Sequence, residues 1–473
     1  MAQWGAGDGG WHMAFGKLPI GAAPTLLAVL FVVAASWLAF HPVPKPHTGD
    51  DAHPVVRVWV FARTHYDAYE AIIPAFEQAH PGVEVDLELV HSTAVTSRLQ
   101  AAFWADLNVP DLVETEISSV GMFFRGPLED IGFLDLTDRI HAEGWWERTV
   151  QSRFAPWSSR GRIFGIPHDV HPVMLAYRRD LFEEEGIDAA TLDTWDKFIE
   201  AGRKVTRDLD GDGMADRYMI ELANSGGHNL EVLLFQRDGG YFDAEGRLIM
   251  DNAVAQQTLC WYVPLVAGPR RIANTLGDGQ ILTQAVEEGY LLCMICPDWR
   301  SRTIEVDMPR LAGKMALMPL PAFEPGGRRT STWGGTMIGT TRKSPHPDLA
   351  WELALHLYYA VEPFNDRFRN TNIIPPLRDA WDLPALNEPR PYWSNQRLGQ
   401  LFVALADDTP PQYTSPYTPI AKAKLGEALI ESVLYYERNG DQGFEEFATT
   451  VLQAKADEVR ALMKRNPFLG LSD

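Results

Sequence analysis

The sequence predicts an α/β protein built on more than one open sheet, and three observations predict it. The chain has 473 residues, 46% of them apolar, enough for two or three hydrophobic cores. Strand-length runs of β-branched and aromatic residues alternate with helical apolar stripes. Polar residues gather where those strands stop, which is where open α/β sheets bind ligands.

Residues 55–61 (VVRVWVF) read as a strand covered on both faces. Tyr69, Ile72, Ile73 and Phe76 then draw one helical stripe. After the turn at Pro81-Gly82, Val83, Val85, Leu87 and Leu89 alternate with acidic residues, so this strand buries one face only. Leu99, Ala102 and Phe103 mark a helix, and Pro110-Asp111 leads into a strand at Leu112-Val113. Strands follow at 164–167 and 172–177, then a helix at 195–205 with Thr194 as its expected N-cap. Later helices are signalled by Ala350, Leu353, Ala354, Leu357 and Tyr358, and by Phe444, Phe447, Val451 and Leu462.

Composition excludes several functions. Lys and Arg number 42 against 63 Asp and Glu, a formal charge of −21, so nucleic acid is not expected as a partner. Three cysteines, Cys260, Cys293 and Cys296, make no disulfide framework. Cys293 and Cys296 have redox or zinc spacing, but they sit in and directly after the apolar run 290–295. Side chains three apart on a strand point to opposite faces, so both are expected as small core residues. No G-x-S-x-G or H-E-x-x-H occurs, and no carboxylate pair is nominated by spacing, so no catalytic residues are assigned.

The N-terminus predicts export. Residues 1–17 precede an uncharged stretch, 18–40, whose centre at 26–35 is LLAVLFVVAA. It reads as a signal peptide or a transmembrane anchor; its length and the lack of an A-x-A site favour the anchor. No cysteine follows for lipid attachment, and 41–54, with four prolines, reads as a tether.

From Gly161 the stretch RGRIFGIPHDVHPVMLAYRRDLFEEEGID, followed by TWDKFIEAGRKV, resembles the central signature of family 1 extracellular solute-binding proteins of ABC importers, the maltose-binding-protein-like family. Gly161, Phe164, Gly165, Pro167, Tyr177, Leu181, Phe182, Gly186, Thr194 and Trp195 carry the match. HPGVEV, GGYFDAEGRLIMDN, the strand end at Trp299 and Trp333-Gly334-Gly335 agree in the same order. Arg178 replaces the usual asparagine, and 370–419 is unusually proline-rich. The resemblance implies a two-lobed periplasmic-binding-protein (class II) fold: two open α/β sheets, with lobe 1 at 55–165 plus 320–365 and lobe 2 at 166–319 plus 366–473. Hinge crossings are expected near 163–167 and 319–325. It also implies a small-molecule carbohydrate ligand, a membrane permease as partner and a monomer. The rival readings are a membrane-tethered ligand sensor and a secreted carbohydrate-active enzyme.

The strand-end rule nominates Arg63, Thr64 and His65 after the first strand, Glu114, Thr115, Glu116 and Ser118 after the third, His168, Asp169 and His171 after the crossing, and Asp298 and Trp299 after the cysteine strand, without the family. A sugar needs flat aromatic faces, offered by Trp299, Trp333 and Tyr417. It also needs planar groups for adjacent hydroxyls, offered by Arg63, Glu116 and Asp169, with His171 beside them. Most of the 15 tryptophans are expected in packing roles. No cofactor is required by any motif. The one candidate metal site is DLDGDGMADRY, where Asp208, Asp210, Asp212 and Asp216 occupy positions 1, 3, 5 and 9 of a calcium loop. Position 12 is Met219, so the alternative is an acidic solvated turn.

Overall fold

The computed structural model describes residues 22–40, 49–50, 53–105, 109–277 and 279–469, and the chain divides into two units, Met1–His47 and Thr48–Asp473. The first unit holds α1 (Ala22–Phe40), 19 residues without a terminal charge, with Leu27, Leu30, Phe31 and Val33 exposed. Taken over the described residues, no helix is long and apolar enough to cross a membrane. Residues 1–21, most of the expected tether and several α1 side chains lie outside the described set.

The second unit is built on two sheets. In the first, β1 (His53–Val60) runs parallel between β2 (Glu84–Leu89) and β3 (Leu112–Glu116). Pairing continues antiparallel from β3 to a returning strand, Thr336–Thr340, and from that to β4 (Ile166–Pro167). The second sheet contains β5 (Val173–Arg178), β6 (Tyr218–Glu221), β7 (Ala273–Asn274), β8 (Leu291–Pro297) and β9 (Met315–Pro319), ordered β7–β6–β8–β5–β9. The returning strand is β10 (Thr336–Thr340), so each sheet defines one lobe.

Period-two alternation explains the layering. Val56, Val58 and Val60 of β1 enter one apolar cluster and Trp59 the other, so both faces are covered. β2 alternates between exposed and half-buried, as its acidic residues require. On β8, Cys293 joins one core and Cys296 the opposite one, and both are free thiols. The cysteine expectation thus matches the geometry of the strand.

Some boundaries differ from expectation. Ile166 and Pro167 pair with β10, so the first sheet extends beyond residue 165 and the crossing itself is 168–172. The return crossing is 320–335, longer than expected, and the two crossings meet at a bridge between Pro172 and Thr332. Thr194 stands at the N-cap of the helix Trp195–Val205, but its side chain does not cap. The chain there is held instead by Trp195 N donating to Ala322 O at 2.9 Å.

Two long helices, α2 (Arg63–Ala79) in the first lobe and α6 (Thr418–Asn439) in the second, start at the gap between the sheets. Between them in sequence, α3 (His228–Gln236), α4 (Asp298–Asp307) and α5 (Pro347–Tyr359) follow β6, β8 and β10. Ala421, Leu425 and Leu429 of α6 pack with Phe444, Leu452 and Val459 of α7 (Phe444–Met463) on the core of the second lobe.

Candidate ligand cleft

A cleft of about 800 Å³ lies between the lobes. The first lobe contributes Phe61, His65, Glu116, Ser118 and Met122, and the second contributes Glu231, Phe235, Trp299, Thr418 and Lys422. The crossings supply Asp169, His171 and Thr332 to Gly335, and β10 supplies Thr336. This volume falls within the range of sites that enclose small molecules.

Its floor is a buried ionic cluster. His171 donates from Nδ1 to Asp298 Oδ1 at 2.6 Å and from Nε2 to Asp169 Oδ2 at 3.1 Å. Both ring nitrogens face carboxylates, so both are donors and the ring is an imidazolium. Burial pulls its pKa down, but the two carboxylates win and hold it at about 9. Asp169 also accepts from Arg153 Nη2 at 3.1 Å and from Thr336 N at 3.1 Å. Burial would raise its carboxyl, yet His171, His168 and Arg153 hold it well below the ordinary value. His171 has a left-handed φ of 54°, a conformation that a non-glycine residue keeps only where its surroundings over-determine it.

The cluster ties five chain segments together, those at 153, 169–171, 298–299, 332–336 and 374. Asp298 accepts from Trp299 N at 2.7 Å and Ile374 N at 2.8 Å. Arg153 donates to Thr332 Oγ1 at 2.8 Å and Gly334 O at 3.0 Å. Only glycine fits at 335, because a Cβ there would stand 2.4 Å from Arg153 Nη2. Beside this floor, Glu114 accepts from Tyr69 and Tyr358 hydroxyls at 2.7 Å each and lies 3.1 Å from His65 Nδ1. His168 packs on His65 with centroids 4.2 Å apart; burial, with His65 beside it, pushes its pKa down to about 3, so it is neutral.

Aromatic walls rise from the floor. Trp299 Nε1 donates to Trp333 O at 3.0 Å, and the two rings meet edge to face at 5.8 Å and 78°. Trp333 is further braced by His228, stacked at 5.7 Å, and by the Arg300 guanidinium at 5.5 Å. Glu116 ends β3 opposite Thr336 of β10 and is bonded to Ser118. Across the gap, Lys422 Nζ pairs with Glu231 Oε2 at 2.8 Å.

Glu116, Asp169, His171, Trp299 and Trp333 are therefore brought to one cleft, and Arg63 and Tyr417 are not. Arg63 is the first residue of α2 and faces solvent, 67% exposed, 3.7 Å from Asp67 one turn on. His65 and Tyr69 take the inward face of that helix. Tyr417 is buried in the second lobe's core, while its neighbours Thr418 and Lys422 reach the cleft. The sequence reading missed Arg153, Glu231 and Lys422. Helical spacing from Thr418 would have found Lys422, one turn on; nothing in the stretch QSRFAPW marks Arg153.

In the acidic loop, carboxylate oxygens of Asp208, Asp210 and Asp216 lie within 4.8 Å of one another, and Asp212 is not among them. Asp212 Oδ1 accepts from Met214 N at 2.7 Å. Met219, at position 12, is buried in the core and offers no oxygen side chain.

The family profile described as bacterial extracellular solute-binding protein matches residues 62–357. Similar proteins include the arabinooligosaccharide-binding protein of Halalkalibacterium halodurans, 25% identical over 396 residues, 82% of this chain and 86% of that one. The lactose-binding protein of Rhizobium radiobacter is 27% identical over 290 residues, 59% of this chain and 64% of its own. Among solved structures, the sugar-binding protein MalE of Xanthomonas citri has a TM-score of 0.71 at 19% identity, covering 87% of this chain and 98% of its own. The galacto-N-biose-/lacto-N-biose I-binding protein of Bifidobacterium longum has a TM-score of 0.68 at 16% identity, covering 90% and 100%. With the profile spanning more than half its length, and two open sheets facing each other across a lined cleft, this chain belongs to the family of bacterial extracellular solute-binding proteins.

Proposed function

We propose that this protein captures an oligosaccharide between its two lobes and presents the closed, loaded form to the permease of an ABC importer, leaving the sugar unchanged. The observation that carries the reading is the cleft itself. The half-buried indoles of Trp299, from the second lobe, and Trp333, from a crossing, line it together with the Glu116 carboxylate and Ser118 hydroxyl of the first lobe, the pairing a sugar's C–H faces and hydroxyls require. Similarity to proteins named for arabinooligosaccharide and lactose binding supports it. Closure follows from differential contact: a ligand touching both lobes favours the state in which both touch it, and the crossings at 168–172 and 320–335 are the hinges. The protein acts as a monomer, and its apolar 18–40 segment directs export, as signal peptide or anchor.

A thermal-shift screen over arabino-, galacto- and malto-oligosaccharides tests this. A bound sugar at about 100 times its Kd adds about 2.7 kcal/mol of stability, and chromatography should recover it intact. No stabilisation by any sugar, or shortened products, would overturn the reading.

We also propose that Asp208, Asp210 and Asp216 hold a calcium ion that braces the second lobe away from the cleft. Calcium should raise the thermal midpoint of the wild type, and Asp208→Asn should remove that rise. An equal rise in the variant would place the ion elsewhere.

A further inference from the structure

The charge pattern of the cleft carries a statement about which sugars enter it. Its ionisable lining residues are His65, Glu116, Asp169, His171, Glu231 and Lys422. On the floor, Arg153 and His171 balance Asp169 and Asp298, and His65 is bonded to Glu114. The remaining balance is set by Glu116, Glu231 and Lys422, two acids against one base. That base is already engaged, 2.8 Å from Glu231, whose side chain is only 12% exposed.

We propose that Glu116, Glu231 and Lys422 make the cleft select uncharged oligosaccharides against those carrying a carboxylate; this rests on the sugar-binding reading above. A uronate entering the cleft meets two glutamates of its own sign. To gain Lys422 it must strip that cation from Glu231 and leave a largely buried carboxylate unpaired, which is costly. A neutral sugar keeps the ion pair and uses the outer lone pairs of Glu116 and Glu231 as hydroxyl acceptors. Burial raises the Glu116 carboxyl above its ordinary value, with Ser118 and Lys422 opposing that rise and Glu231 reinforcing it. The formal charge of −21 adds long-range repulsion of anions.

The test compares, by calorimetry, the neutral oligosaccharide that most stabilises the protein with a chain of equal length ending in a uronic acid. The wild type should prefer the neutral sugar by about tenfold or more at low salt, and the preference should shrink as salt screens it. Glu231→Gln, which frees Lys422, should narrow the ratio, and Lys422→Met should widen it. Glu116→Gln should also narrow it and serves if Glu231→Gln does not fold. Equal wild-type affinity for both sugars, or an unchanged ratio in both glutamine variants, would overturn the proposal. Failure of the neutral sugar to bind would instead overturn the sugar reading.

Discussion

Replacing Trp299 by alanine is expected to abolish the sugar-dependent rise in thermal midpoint and to leave the free protein folded. Trp299 opens α4 at the end of β8, half-buried, and among the described residues it joins none of the apolar clusters on either face of the two sheets. Its N–H is committed to Trp333 O, so its ring face is what it offers a ligand. Aromatic anchors of this kind contribute about 2 kcal/mol or more when truncated, roughly thirtyfold in Kd. Calorimetry should report that loss while circular dichroism stays native. An undiminished thermal shift would remove Trp299 from the site.

Asp298→Ala is expected to cost about 3–5 kcal/mol of stability, because it strips a buried imidazolium of one counter-charge. It also leaves the backbone N–H groups of Trp299 and Ile374 without their acceptor. The same cluster fixes a pH dependence. The His171 pKa is raised from 6.5 to about 9, so its contribution is complete below about pH 6.5 and is lost as pH rises through 9. Asp169 is depressed below 3.8, so its share is present above that value and is lost only as pH falls through the depressed one. Scanning calorimetry of the wild type between pH 6 and 10 should therefore show a declining alkaline limb, and His171→Gln should flatten it. An identical decline in the variant would mean that another group titrates there.

The strand-end rule located Glu116, Asp169, His171 and Trp299 because it concerns where a strand stops, and strand ends are visible as breaks in apolar period. It failed at Arg63 because counting past a strand does not say which face of the next helix a residue occupies. Arg63 and Asp67 share the solvent face, and His65 and Tyr69 the inner one. Tyr417, offered for its aromatic face and not by that rule, lies in the core, while Lys422 reaches the cleft. Asp212 fits the calcium spacing but not the cluster: its carboxylate accepts from Met214 N, away from the point where those of Asp208, Asp210 and Asp216 converge.

The sequence by itself determined the alternation of strands and helices, the family resemblance and the positions of the main cleft residues. Each is written in local periodicity or in an ordered set of motifs. Only the tertiary structure decided which charges meet. His171 and Asp298 are 127 residues apart and Lys422 and Glu231 lie on separate helices, yet each pair is in contact. A carboxylate's partner is fixed by the packing of sheets and crossings in space, which no spacing along the chain encodes.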